Sequence, residues 1–232
     1  MDNKKIAIIT ARGGSKRIPG KNIREFCGKP ILAYSVEAAI HSSLFDEVMV
    51  STDDGIIAET ARSYGAEVPF MRSESTADDY ATTAEVLMEV LAEYQKRGAS
   101  FDKMCCIYPT APFVTAEKLR YAMGLLEEED VDSVMPVTAF SFPPMRGMYI
   151  REGRIAYCYP EYAARRSQDI ETMYHDCGQF YCMKTEVFLR TGKLVSERTR
   201  AVILPEREVQ DIDTMEDWQL AELKYKLYKG ES

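Results

Sequence analysis

Apolar and polar positions change period twice within the first forty residues. Residues 4–10, "KKIAIIT", form a short apolar, β-branched run, whereas "PILAYSVEAAI", from Pro30, spaces its apolar residues at helical intervals. The first pattern predicts a strand and the second a helix opened by its proline. "DEVMVSTDD" (46–54) predicts a second strand, with Asp53 and Asp54 as candidate N-caps for a helix over "IIAETARSYG" that Gly65 ends. "EVPFM" (67–71) predicts a third strand, and Thr82 to Arg97 a helix closed by Gly98. "DKMCCIYPT" (102–110) has the continuous apolar character of a buried parallel strand. A helix over 115–129 and a strand over 133–140 follow.

This alternation predicts an α/β fold, a parallel sheet covered by helices on both faces, with ligands outside the carboxyl ends of its strands. The pattern fails between Ser141 and Tyr174, where Pro143, Pro144, Gly147, Gly153 and Pro160 break any long element. That stretch reads as an excursion. Strands over 178–184 and 200–205 resume the pattern. A last helix over 214–228, predicted to pack back on the sheet, starts at "DTME", where Asp213 and Glu216 have capping-box spacing.

At 232 residues the chain suits one sizeable domain or a domain with an appendage. Hydrophobic residues at 46% and charged residues at 28% are those of an ordinary globular protein, and no repeat or low-complexity segment stands out. The formal charge of −8 disfavours a broad footprint on nucleic acid or anionic membrane. The positive field is local: Arg12, Lys16, Arg17, Lys21, Arg24 and Lys29 lie in one stretch against a single acid, Glu25. A small anionic ligand fits that distribution better than a polyanion. Six cysteines without a CxxC pair, and only two histidines, make a zinc site unlike this chain. With no signal peptide and no apolar run of the roughly 18 residues a span requires, cytoplasmic residence with reduced thiols is expected.

"TARGGSKRIPGKN" (10–22) gathers cations around Gly13, Gly14 and Gly20. Glycine pairs let backbone N–H groups converge on an anion, so phosphate is the expected ligand, and a solvated basic loop is the alternative. The loop is neither G-x-G-x-x-G nor GxxxxGK[ST], because Pro19-Gly20 intervenes and Asn22 follows Lys21. "QDIDT" places Asp211 and Asp213 on one face if the segment is extended, an arrangement suited to Mg²⁺, although Asp213 could instead cap the last helix. Thr82 and Glu85 likewise make either an ordinary helix start or one that presents free N–H groups to an anion. "RRSQDIETMYHDCGQFY" mixes Arg165, Arg166, Gln168, His175, Gln179 and Tyr181, as a sugar-acid pocket or an interface loop would.

"IAIITARGGSKRIPGKNI", "FDEVMVSTDDGIIAETARSYGAEVPFMR", "YPTAPF" and "QDIDT" together resemble the acylneuraminate cytidylyltransferase family, the CMP-sugar-acid synthetases, across essentially the whole chain. "RSQDIETMYHDCGQFY" is similar, more narrowly, to the branch that makes CMP-pseudaminic acid for glycosylation of surface structures such as flagella. The resemblance implies a nucleotide-diphospho-sugar-transferase-like mixed sheet flanked by helices. The core would span 1–139 and 175–232, and a projecting dimerisation and sugar-lid segment 140–174. It also implies nucleotidyl transfer: the anomeric hydroxyl of a nine-carbon keto-sugar acid attacks the α-phosphate of CTP and pyrophosphate leaves, with no covalent enzyme intermediate.

Carried onto this sequence, the family's nucleotide-binding residues are Ala11, Arg12, Gly13, Gly14, Ser15, Lys16, Lys21 and Asn22, with Arg72, Ala81 and Thr82 where the cytidine sits. Arg12 and Lys21 would stabilise charge on the triphosphate, and Asp211 and Asp213 match the metal-binding aspartates for Mg²⁺. All four are expected to be catalytic. Sugar contacts are expected from Tyr108, Arg165, Arg166, Gln179 and Tyr181, some reaching the site of a partner subunit in a homodimer. Tyr108 stands where many sialic-acid enzymes carry Gln, and Cys177-Gly178 where they carry Asn-Gly. These departures point to pseudaminic acid, whose extra methyl and acetamido groups suit a more aromatic wall. N-acetylneuraminate and legionaminate are the alternative acids. From other classes, a regulator that binds nucleotide without turnover would not need paired metal carboxylates, and a Rossmann oxidoreductase would carry the missing fingerprint.

Overall fold

Strand β1 (Lys5–Thr10) shows why its sequence lacks polar alternation, for it has strands on both sides and helices on both faces. In the computed structural model, which describes residues 3–230, Ile6 and Ile8 enter one apolar cluster while Ala7 and Ile9 enter the other. The chain continues through α1 (Ile31–Ser42), β2 (Glu47–Ser51), α2 (Gly55–Ser63), α3 (Thr83–Lys96), β3 (Lys103–Ile107), α4 (Ala116–Leu125) and β4 (Ser133–Ala139). After the excursion, with its hairpin β5 (Met148–Arg151) and β6 (Arg154–Tyr157), come β7 (Tyr174–Asp176), β8 (Phe180–Lys184), α5 (Thr185–Thr191), β9 (Thr199–Ile203) and α6 (Met215–Lys229).

The main sheet has the order β9-β4-β8-β3-β1-β2, with β7 also paired to β4. It is mixed, not all-parallel: β8 runs antiparallel to both β3 and β4, while β1 is parallel to β2 and β3 and β9 is parallel to β4. Helices α1, α2 and α4 cover one face through Leu32, Val36, Ile57, Ala61 and Leu119, and α3 and α5 cover the other through Leu87, Val90 and Phe188. Apart from Ala61, each of these buried side chains contributes about 1.5–3 kcal/mol of transfer free energy.

Three expectations are corrected. The segment 67–71 is no strand. It makes one bridge, Met49 with Glu67, and Pro69 has no N–H to extend a ladder. The cap of α6 lies one residue later than expected: Thr214 accepts the N–H of Asp217 and Asp217 reaches back to Thr214, so Asp213 is not the cap. Finally, α6 does not return to the sheet, because Trp218 and Ala221 pack with Ile18, Phe26, Ile31 and Tyr34, beneath the glycine-rich loop and the start of α1.

Residues 140–173 leave the sheet and come back to it at β7. Their hairpin turns at Glu152 and Gly153, both at positive φ (51° and 75°), as a two-residue turn matched to strand twist requires.

Candidate active site

The carboxyl ends of β1, β2 and β3 meet at one edge, where Thr10 lies beside Ser51 and Ile9 beside Ile107. The loops that follow β1 and β3, with the segment that carries Asp211, enclose a cleft of about 280 Å³, walled by Arg12, Ser15, Lys16, Arg17, Lys21 and Asn22 on one side, Tyr108 to Thr110 on another, and Asp211.

Two aspartates after β2 shape the glycine loop. Asp54 caps α2 by accepting the N–H groups of Ile56 and Ile57, and Asp53 accepts the Gly13 N–H at 2.9 Å. A Cβ on Gly13 would sit 2.9 Å from both the Cβ and Oδ2 of Asp54, so only glycine lets the loop close on that cap. Gly14 has no such neighbour. Asn22, buried, donates to the Arg12 carbonyl at 2.9 Å and staples the far end of the loop to its start, while Gly20 takes the left-handed conformation (φ 64°).

The cations are held by carboxylates. Arg12 contacts Asp79 Oδ1 at 2.6 Å and the Asp78 carbonyl at 3.1 Å, and Lys16 pairs with the other Asp79 oxygen. Arg17 pairs with Asp213 at 2.7 Å. Lys21 donates to the Ile212 carbonyl at 2.7 Å and lies 4.0 Å from Asp213. Burial pulls the Lys21 pKa below its ordinary value, against the opposing pull of Asp213 and Asp211. Ile212 is buried in the cluster under the loop while Asp211 is exposed and Asp213 half-exposed, which is the alternation of an extended segment. The Thr214–Asp217 cap leaves the Asp213 carboxylate free of the helix start, where it pairs with Arg17.

On the remaining side, Tyr108 bridges α3 and the sheet. Its hydroxyl lies 3.0 Å from Thr83 Oγ1, its ring meets Tyr181 edge-on at 5.6 Å, and its N–H donates to the Gln179 carbonyl at 2.8 Å. Tyr181 donates in turn to Asp176, whose other oxygen takes the Gly178 N–H at 2.8 Å. Three steps along β4, from Val137 to Val134, match six on its partner, from Asp176 to Cys182, so Cys177–Gln179 bulge towards the cleft end of the sheet. Gln179 is buried, donates to the Glu208 carbonyl at 2.7 Å, and leaves its Oε1 without a partner. No histidine or cysteine lines the cleft. It offers positive charge, hydroxyl groups and the Asp211 carboxylate, a constellation suited to holding phosphates during a displacement.

A family model described as cytidylyltransferase matches residues 6–200, from the first strand through to the start of β9. The chain belongs to the cytidylyltransferase family. A pseudaminic acid cytidylyltransferase of Campylobacter jejuni is 38% identical over 97% of this chain and 97% of that protein. A CMP-N,N'-diacetyllegionaminic acid synthase of Legionella pneumophila is 35% identical over 94% of each. Among solved structures, a CMP:2-keto-3-deoxy-manno-octonic acid synthetase complexed with CTP superposes with a TM-score of 0.69 at 17% identity, over 98% of this chain and 99% of that one. That likeness establishes the nucleotidyltransferase fold.

Within this cytidylyltransferase, Arg12, Ser15, Lys16, Lys21, Asn22, Tyr108 and Asp211 share the cleft wall. Ala11 is buried beneath it, and Gly13 and Gly14 form the loop's backbone. Thr82 caps α3, and Ala81 precedes it on the turn that carries Asp79. Arg72 is buried under the site and spends two donors on Ser51, at 3.0 Å to Oγ and 2.6 Å to the carbonyl, bracing the end of β2. Arg165 and Arg166 lie elsewhere, on the excursion: Arg165 borders a second hollow with Tyr162, and Arg166 pairs with Asp169 at 2.7 Å. His175 is at the base of the excursion against the Phe140 ring.

Asp53, Asp79, Asp176 and Thr83 were not singled out for the site by sequence reasoning. For Asp79 the available signal was the acid pair of "ADDY" just ahead of a helix cap. Its partners, Arg12 and Lys16, are more than sixty residues away and only folding joins them.

Proposed function

We propose that this enzyme transfers the cytidylyl group of CTP to the anomeric hydroxyl of a nonulosonic acid, with pseudaminic acid as acceptor. The similarity to the Campylobacter jejuni pseudaminic acid cytidylyltransferase over 97% of both chains carries this reading. The hydroxyl oxygen bonds to the α-phosphorus, the bond to the bridging oxygen of pyrophosphate breaks, and the hydroxyl proton passes to solvent. Arg12, Lys16, Arg17 and Lys21 neutralise charge on the leaving phosphates. Tyr108, with the buried Tyr181 packed behind it, forms an aromatic wall for the acyl and methyl groups of the sugar.

Asp211, which lines the cleft, and Asp213, two residues on and paired with Arg17, fit a hard divalent cation such as Mg²⁺, since neither carboxylate is committed to a helix cap and the exposed Arg17 pair can yield to a metal. Among the described residues no set of three or more acidic, histidine or cysteine ligands gathers anywhere, so phosphate and water oxygens would complete the shell. Bound there, magnesium would neutralise phosphate charge and lower the pKa of the attacking hydroxyl.

A homodimer through the excursion is part of this reading. It is supported by exposed Met148, Ile150 and Ile155, the isoleucines paired across the hairpin. Arg165 and Arg166 would then serve the sugar site of the partner. Cytoplasmic residence accords with a nucleoside triphosphate donor and with the absence of any disulfide among the described residues. No helix of the described residues is long and apolar enough to cross a membrane.

The test is pyrophosphate release from CTP and Mg²⁺ with pseudaminic, N,N'-diacetyllegionaminic and N-acetylneuraminic acids in parallel. Release with pseudaminic acid is the expected result. Release only with the legionaminic acid, the acid of the 35% identical relative, would keep the mechanism and overturn the acceptor. CTP binding without release on any acid would favour a non-catalytic regulator.

A further inference from the structure

Asp79 holds both cations that open the glycine loop, one with each carboxylate oxygen. It sits on a turn braced without its help, since the Asp78 carboxylate accepts the N–H groups of Tyr80 at 2.9 Å and Ala81 at 2.7 Å just before the Thr82 cap of α3. The turn therefore presents a fixed anion to Arg12 and Lys16 at the cleft mouth. A phosphate that uses these two cations must displace it.

We propose that Asp79 is an internal competitor for the phosphate loop, a positioning residue that weakens polyphosphate binding and recaptures Arg12 and Lys16 as pyrophosphate leaves. This rests on the reading of the cleft as the CTP site. The physical need is plain. A loop with four cations stabilises the leaving group during bond breaking, yet it would also retain pyrophosphate afterwards as a tightly held product. A tethered carboxylate of lower charge than the triphosphate loses to it at high nucleotide concentration and regains its partners once the phosphates are free to go. Asp213 differs, because the proposed metal role gives it a second use, whereas among the described residues the Asp79 carboxylate contacts only Arg12 and Lys16. Lys16 and Arg12 hold the Asp79 carboxyl below its usual pKa, so the competitor stays ionised across the working range.

The experiment measures dissociation constants of CTP and of inorganic pyrophosphate in magnesium buffer, together with pyrophosphate product inhibition, for the full chain, Asp79→Asn and Asp79→Glu. Asp79→Asn should bind both ligands roughly three- to tenfold more tightly, the combined effect of two exposed ion pairs, with the KM for CTP and the pyrophosphate inhibition constant falling together. Asp79→Glu, which keeps the charge, should stay close to wild type. Unchanged or weaker binding in Asp79→Asn would overturn the proposal, since a residue that merely ordered Arg12 and Lys16 would weaken binding when removed. Equal weakening in both variants would assign it to the turn's structure and overturn it likewise. Wild-type protein that binds neither CTP nor pyrophosphate would instead bring down the reading of the cleft, and the proposal with it.

Discussion

Gly13 and Gly14 are neighbours of the same residue type, and the structure gives them opposite tolerance for alanine. A Cβ on Gly13 would lie 2.9 Å from Asp54 Cβ, well inside the 3.5–4.0 Å at which carbon atoms rest. Relief has two routes. Asp54 can swing away and release the Ile56 and Ile57 N–H groups, a lost N-cap worth about 1 kcal/mol. Alternatively the loop can withdraw and break the Gly13 N–H bond to Asp53, worth about 1 kcal/mol at an exposed position. Gly13→Ala should thus cost about 1–2 kcal/mol, or roughly 2–8 °C in Tm for a chain of this size. Gly14→Ala meets no atom within 4 Å and should melt with the wild type. Thermal unfolding of both variants, with CTP titration alongside, makes the comparison, and Gly13→Ala should also bind CTP more weakly. Equal losses in the two variants, or a wild-type Tm for Gly13→Ala, would refute the claim that the Asp54 cap sets the loop's position.

Asp213→Asn should reduce magnesium-dependent pyrophosphate release by on the order of a hundredfold while Tm stays within about 2 °C, because the Arg17 pair it breaks is largely exposed. Tyr181→Phe removes the hydroxyl from Asp176 and should cost about 1–2 kcal/mol in denaturant unfolding, raising the KM of the sugar acid and leaving that of CTP unchanged. For Lys21, whose folded pKa lies below the ordinary 10.5, the cost of burying the cation is present in full at neutral pH. It is relieved as pH rises from the folded pKa towards 10.5, because there the unfolded chain binds more protons. Wild-type Tm relative to that of Lys21→Met should therefore climb through this alkaline window, while CTP binding by the wild type declines with loss of the charge.

Local order was legible where one segment carried its own signal. β1, the Thr82–Glu85 cap and the helix over residues 83–96 follow from period and capping chemistry, both of which act within a few residues. The basic glycine loop suggested an anion site from residue types alone, and "QDIDT" a metal pair or a helix cap, with the family resemblance favouring the metal. Where two local readings competed, sequence could not choose. Asp213 could cap the last helix or face a metal, and the structure gives the cap to Thr214, with Ile212 and Trp218 packed under the loop where the helix starts.

Charge pairing across the cleft belonged to the tertiary structure alone. The sequence by itself determined which residues are cations, where the central strands β1, β2 and β3 run, and that their loops would emerge at one edge. Only folding decided that Asp79 would face Arg12 and Lys16, that Asp53 would hold Gly13, that Arg72 would brace β2, and that Arg165 and Arg166 would lie away from Tyr108 on the excursion. The reason is range: periodicity and capping are set by neighbours within one or two turns, whereas an ion pair needs two side chains a few ångströms apart and is indifferent to the sixty residues between them.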